Sequence, residues 1–123
     1  MLKQIEMPTM IAEGTRIQGE LTFYSGVAIF GIVEGDIIQQ SRDILQVGRN
    51  GWVNGTLRSQ GPVVIEGRVE GEVFSSTSIR LTATAVVKGK LVAPAVDVRP
   101  GALFEGELTM LGETKARRIK RAA

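Results

Sequence analysis

A chain of 123 residues holds one domain of ordinary size, and 15 Lys plus Arg against 13 Asp plus Glu leave a net charge of +2. Cysteine and histidine are both absent, which excludes disulfides, Cys/His zinc sites, Ser-His-Asp triads and imidazole general bases. No basic start leads into an apolar stretch and no apolar run nears ~18 residues, so neither a signal peptide nor a membrane span is expected, and a cytoplasmic protein is.

In chain order, residues 1–13 carry Pro8 and no repeat unit, and are expected to be a flexible leading segment. From residue 14 the pattern apolar-x-Gly-x-aliphatic begins, and it occurs six times. The units are Ile17–Leu21, Val33–Ile37, Val53–Leu57, Val69–Val73, Val87–Leu91 and Phe104–Leu108. Their glycines stand 16, 20, 16, 18 and 17 residues apart. Between them lie short apolar-x-apolar elements: Val27–Ile29, Leu45–Val47, Val63–Ile65, Ile79–Leu81 and Val96–Val98. Val plus Ile number 24 against nine Leu, with 15 Gly; β-branched side chains suit a pleated surface and glycine suits sharp bends.

A period of ~17 residues is too short for a helix pair or a propeller blade. It fits one coil of a parallel β-helix, in which each strand pairs with its equivalent one coil away at about 4.8 Å. The fold class expected is therefore all-β, a single-domain parallel β-helix of about six coils over residues 14–112. Apolar residues four apart then point inward, and the pairs flanking each glycine face outward. Those pairs run Gln18/Glu20, Glu34/Asp36, Asn54/Thr56, Glu70/Glu72, Lys88/Lys90 and Glu105/Glu107. In-register stacking sets the lysines between two acidic coils, which favours that register. The turn-rich stretches 48–51, 60–62 and 99–101 fall where corners belong. Residues 113–123 hold five bases and one acid and read as a basic, disordered tail.

The segment Gly14 to Leu21, the double unit Ile29 to Ile37, Leu45–Gly48 with its Gly51-to-Gly55 sequel, and Gly101 to Gly106 together resemble the bactofilin family over about four-fifths of the chain. The resemblance implies a right-handed β-helix that polymerises end to end, without nucleotide, into non-polar cytoskeletal filaments of a bacterial cell. It also implies attachment to the membrane through an N-terminal segment. Met1-Leu2-Lys3 fits that segment loosely and Gln4-Ile5-Glu6 departs from its basic form; Met1, Leu2, Lys3 and Ile5 are the candidate membrane contacts at this end. A left-handed hexapeptide-repeat acyltransferase or a γ-type carbonic anhydrase has coils of similar length, but both resemble proteins that need histidine.

The acidic pairs are periodic and outward, unlike the pocketed carboxylates of a glycosidase. No Gly-Lys-Ser/Thr or GxGxxG stretch supports a nucleotide, so no cofactor or metal is expected. Lys115, Arg117, Arg118, Lys120 and Arg121 are a solvated end or a contact with anionic lipid; nucleic acid is not expected, because the repeat region carries no basic patch. Soluble solenoids cap their ends, and neither end here shows a cap. The end coils offer Ile17, Leu21, Phe23, Val27 and Ile29 on one side and Val98, Leu103, Phe104, Leu108 and Met110 on the other. Self-assembly through these residues into a filament scaffold is the function expected, with no active site. The alternative is a non-polymerising binding module that recruits a partner through a sheet face or the tail.

Overall fold

A computed structural model describes residues 9–110 and the backbone of Arg117–Lys120. Every element is a strand. Short strands β1 (Thr9–Ile11), β3 (Val27–Ile29), β5 (Leu45–Val47), β7 (Val63–Ile65), β9 (Ile79–Leu81) and β11 (Val96–Val98) stack in that order into one sheet. Eight-residue strands β2 (Arg16–Phe23), β4 (Ile32–Gln39), β6 (Trp52–Ser59), β8 (Arg68–Ser75), β10 (Val86–Ala93) and β12 (Leu103–Met110) stack into a second. All these pairings are parallel. The result is a β-solenoid of about six turns, each turn one long strand and one short one.

The register is the one the glycine spacing predicts. Gly19, Gly35, Gly55, Gly71, Gly89 and Gly106 are successive partners across the long-strand sheet. All six have positive φ, between 121° and 145°, a backbone shape that side-chain-bearing residues rarely adopt. Each long strand therefore bends at its glycine, so this sheet wraps two sides of the coil and the short-strand sheet closes the third. Packing makes the same demand independently. A Cβ on Gly35, Gly55, Gly71, Gly89 or Gly106 would overlap the carbonyl oxygen of the glycine one coil earlier.

Inside lie three layers of aliphatic side chains. Val33, Val53, Val69 and Val87 form one column, and Ile37, Leu57, Val73 and Leu91 a second, all 0% exposed. The short strands supply the third from Ile29, Leu45, Val47, Val63, Ile65, Ile79 and Leu81. Burying a Val, Leu or Ile side chain is worth about 1.5–3 kcal/mol, so one coil contributes several such increments without any aromatic residue.

Corner lengths account for the irregular period. The corner leading from a short strand into the next long one has two residues at 30–31 and 66–67, and four at 48–51 and 82–85. In the two-residue corners, Gly31 and Gly67 pass so close to backbone carbonyls that no Cβ fits. The corner leaving β4 has five residues, 40–44, against three at 60–62. That loop and the four-residue corner that follows it give the single 20-residue spacing.

Two segments differ from expectation. Thr9–Ile11, placed in the flexible leading segment 1–13, forms β1, with Ile11 paired to Ile29 and 5% exposed. Arg117–Lys120, placed in the disordered tail, forms β13, antiparallel to β12. A third feature contradicts simple inward-apolar patterning. Gln39, Ser59 and Ser75 occupy inward positions and are nearly fully buried. They are satisfied as a ladder: Ser59 Oγ donates to Gln39 Oε1 at 2.5 Å, Gln39 Nε2 to the Ser25 carbonyl at 2.7 Å, and Ser75 Oγ to the Gly61 carbonyl at 2.7 Å. Paired in this way, buried polar groups avoid the desolvation cost of unmade bonds.

Gly71→Ala and Gly19→Ala separate conformational strain from collision. Both force a Cβ onto positive φ, a cost of about 1–3 kcal/mol, but Gly19 has open space around it whereas Gly71 meets the Gly55 carbonyl. Urea denaturation should show Gly71→Ala destabilised well beyond Gly19→Ala; equal losses would remove the stacking explanation.

Candidate assembly surface at the ends of the solenoid

At the N-terminal end, the outer edges of β1 and β2 have no strand beyond them among the described residues. Ile17, Leu21 and Phe23 point along the inward columns of β2, yet they are only half-buried, packed on one side by the second coil. Val27 and Ile29, also expected here, are 1% and 0% exposed, because β1 covers them. Met10 on β1 is 63% exposed. The end layer thus presents apolar side chains beside unpaired strand backbone.

A polar clamp borders this layer. Arg16 donates from Nε and Nη2 to the Glu34 carboxylate at 2.9–3.1 Å, and Gln18 Nε2 donates to Glu34 Oε1 at 2.8 Å. These hydrogen bonds, Gln18 first and Arg16 second, hold the Glu34 carboxyl below its ordinary value of 4.5. The clamp fixes the first coil to the second across the face that flanks the exposed edge.

The C-terminal end is built differently. Val98 on β11 is half-buried and Leu103 is 58% exposed, whereas Phe104 and Leu108 lie inside at 2% and 3%. Phe104 occupies the column of Val87, directly above it in register. It enlarges the last core layer. Met110 is half-buried at the end of β12. The outer edge of β12 is occupied by β13, with Glu107 opposite Lys120 and Leu108 opposite Ile119. Of the bases expected at a membrane, Arg117, Arg118 and Lys120 lie on β13; Lys115 and Arg121, like Met1, Leu2, Lys3 and Ile5, lie outside the described residues.

The charge ladder has the expected register, with Lys88 between Glu70 and Glu105 and Lys90 between Glu72 and Glu107. The ion pair recorded at Glu70 is with Arg68 of its own strand, at 3.0 Å. Sequence reading missed a stripe on the outward face of the long strands, where Ile38, Arg58, Phe74 and Val92 are successive partners. Arg58 lies over the Phe74 ring at 5.2 Å. With Gln40, Gln60 and Pro94 they line an open groove of about 610 Å³. Apolar residues at outward register positions were the available signal. Among the described residues no cluster of acidic side chains could hold a metal ion, and no helix is long and apolar enough to cross a membrane.

A closed aliphatic core, wound by two parallel sheets and without a metal-binding cluster among the described residues, defines a structural β-solenoid, and comparison with known proteins gives its family. A family described as "Bactofilin: Polymer-forming cytoskeletal" matches residues 9–109, which begins at β1 and takes in nearly all of β12. Bactofilin BacO of Myxococcus xanthus (strain DK1622) is 31% identical over 102 residues, covering 83% of this chain and 79% of that relative. No solved structure matches. The chain belongs to the bactofilin family, a family of structural, cytoskeletal proteins and not of enzymes.

The lowered pKa of Glu34 sets a direction for acid sensitivity. A carboxylate with a depressed folded pKa adds stability that is present above its ordinary value and lost as pH falls through the folded one. Carboxyl-carbon NMR titration should find Glu34 below 4.5, and Gln18→Ala should move it upward; an unmoved titration would show that Gln18 does not act on it.

Proposed function

We propose that this protein polymerises end to end through its terminal coils into nucleotide-independent, non-polar filaments, which serve as a scaffold at the cytoplasmic face of a bacterial membrane. The supporting observation is the state of β2. Ile17 and Leu21 are half-buried, while Val33 and Ile37, their partners one coil in, are 0% exposed. A second copy laid on this edge would complete the burial and pair the backbone groups left open among the described residues, which is what an exposed strand edge favours.

Non-polar assembly follows from a two-fold joint between like ends, the commonest closed arrangement for identical chains. Such a joint sets an end strand that crosses the axis at right angles antiparallel to its copy. The proposed joints use Ile17, Leu21 and Phe23 at one end and, at the other, Val98, Leu103 and Met110 together with the backbone edge of β12, behind which Phe104 and Leu108 fill the last core layer. Family membership supports self-association as the principal interaction. Anionic lipid is the proposed second partner, through the basic tail or through Met1, Leu2, Lys3 and Ile5.

A second reading is favoured by the groove at Ile38, Arg58, Phe74 and Val92: the solenoid as a discrete binding module that seats a partner on its flank. Electron microscopy separates the two, since one predicts rods of indefinite length and the other a particle about 30 Å long, six coils at 4.8 Å each.

Ile17→Arg is the direct test of the joint. It places a charge on the open edge and leaves the middle coils untouched, so circular dichroism should stay strand-rich while sedimentation falls from polymer to dimer or monomer. Phe104→Arg is a harsher change, because its site is 2% exposed and an unpaired buried charge costs about 3–5 kcal/mol; loss of the last coil should accompany any loss of polymer. Polymer from Ile17→Arg at the normal concentration would remove the N-terminal joint, and dependence of assembly on added nucleotide would overturn the proposed driver.

A further inference from the structure

The two ends of the solenoid are not in the same state. At the N-terminal end, β1 and β2 both keep an open outer edge among the described residues; at the C-terminal end, β11 keeps one and β12 does not. The strand on β12 is β13, formed from the most basic stretch of the chain, and it runs antiparallel to a sheet otherwise wholly parallel.

That direction is informative. A strand that merely continued the solenoid would be parallel. A second copy of β12, brought up by a two-fold joint between C-terminal ends, would be antiparallel, as β13 is. The register also matches. Ile119, the apolar residue within the basic run, stands opposite Leu108, an inward core position, and Lys120 stands opposite Glu107. The tail thus satisfies the backbone edge that a partner subunit would use, with an apolar residue at an inward register position and a base opposite an acid. Both cannot pair with β12 at once, because one strand edge takes one partner.

Resting on the filament reading above, we propose that Arg117–Lys120 is a detachable plug on the C-terminal end. It holds β12 closed to other copies until an anionic membrane surface draws the tail away. The charge content of the segment supplies the competition. Residues 113–123 carry five bases against one acid, and bases near an anionic bilayer are attracted to it over about a Debye length. The same residues cannot lie flat on lipid and remain threaded along β12. Binding to the surface and opening of the end are therefore one event, and polymer grows where anionic lipid is.

The chain has no cysteine, so a disulfide tests the plug in the full-length protein. Thr109 and Arg118 are cross-strand partners; the double variant Thr109→Cys, Arg118→Cys locks the tail when oxidised and frees it when reduced. We expect the intramolecular disulfide to form in the monomer. The oxidised protein should keep its strand-rich dichroism and stop at dimers joined through N-terminal ends, and the reduced protein should polymerise as the parent does. For the parent chain, vesicles containing phosphatidylglycerol should lower the critical concentration for sedimentable polymer at least three-fold, and vesicles of pure phosphatidylcholine should not. The oxidised variant should not respond to either.

Failure to form the disulfide would show that the tail does not lie on β12, and normal polymer from the oxidised variant would show that the tail does not obstruct the joint; either overturns the plug and leaves the filament reading standing. Equal critical concentrations on both vesicle types would overturn release by lipid. Absence of polymer from the reduced variant and the parent alike, with the disulfide formed, would instead overturn the filament reading on which the plug depends.

Discussion

One contact repeats along the molecule and the rest of the structure is arranged around it: a glycine seated against the backbone of the glycine one coil earlier. Because a Cβ at that point would overlap the carbonyl oxygen beneath, the long strands approach closely only if glycine recurs at each rung. Its positive φ bends the chain there, so one residue type sets both the spacing of the coils and their angular outline. The aliphatic columns on either side are brought into line by this alignment, and they supply the stability. The outer corners are free to vary from two to five residues, since no rung depends on their length.

The legible part of the sequence was the part governed by that repeat. Six glycine units and five short strands could be placed to the residue, because inward and outward positions alternate around a fixed marker. Thr9–Ile11 could not be read in the same way: it is three residues long, has no glycine unit, and buries one side chain, Ile11, while Met10 stays exposed. The buried ladder of Gln39, Ser59 and Ser75 was hidden for the opposite reason. Its residues are polar at core positions, and what makes them acceptable is a set of carbonyls, such as those of Ser25 and Gly61, that only the folded corners bring within reach.

The end residues show where sequence reading stops. Phe104, named above among the end-coil residues expected to carry assembly, is the one aromatic in a column of Val and Ile. Its column already fixes its direction, which is inward, and the ring fills the last layer above Val87. What lies beyond that layer is not written in the repeat. A basic segment with a single isoleucine has neither the period nor the β-branched content of a strand, yet Arg117–Lys120 pairs with β12, since an unsatisfied edge accepts any backbone that can reach it. The open edges of β1 and β2 were thus readable from the lack of a capping repeat, while the strand that pairs with β12 was not.

The short corners have a consequence of another kind. A coil closed by a two-residue corner, such as the one through Gly31 or Gly67, is complete in 16 residues and meets only the coils directly above and below it. A segment of that size duplicated in the gene would insert as a further rung, with its glycine on the column and its aliphatics on the core, lengthening the rod by about 4.8 Å and leaving both ends unchanged. Length is therefore a property this architecture can vary by copying, one coil at a time, without redesigning any surface.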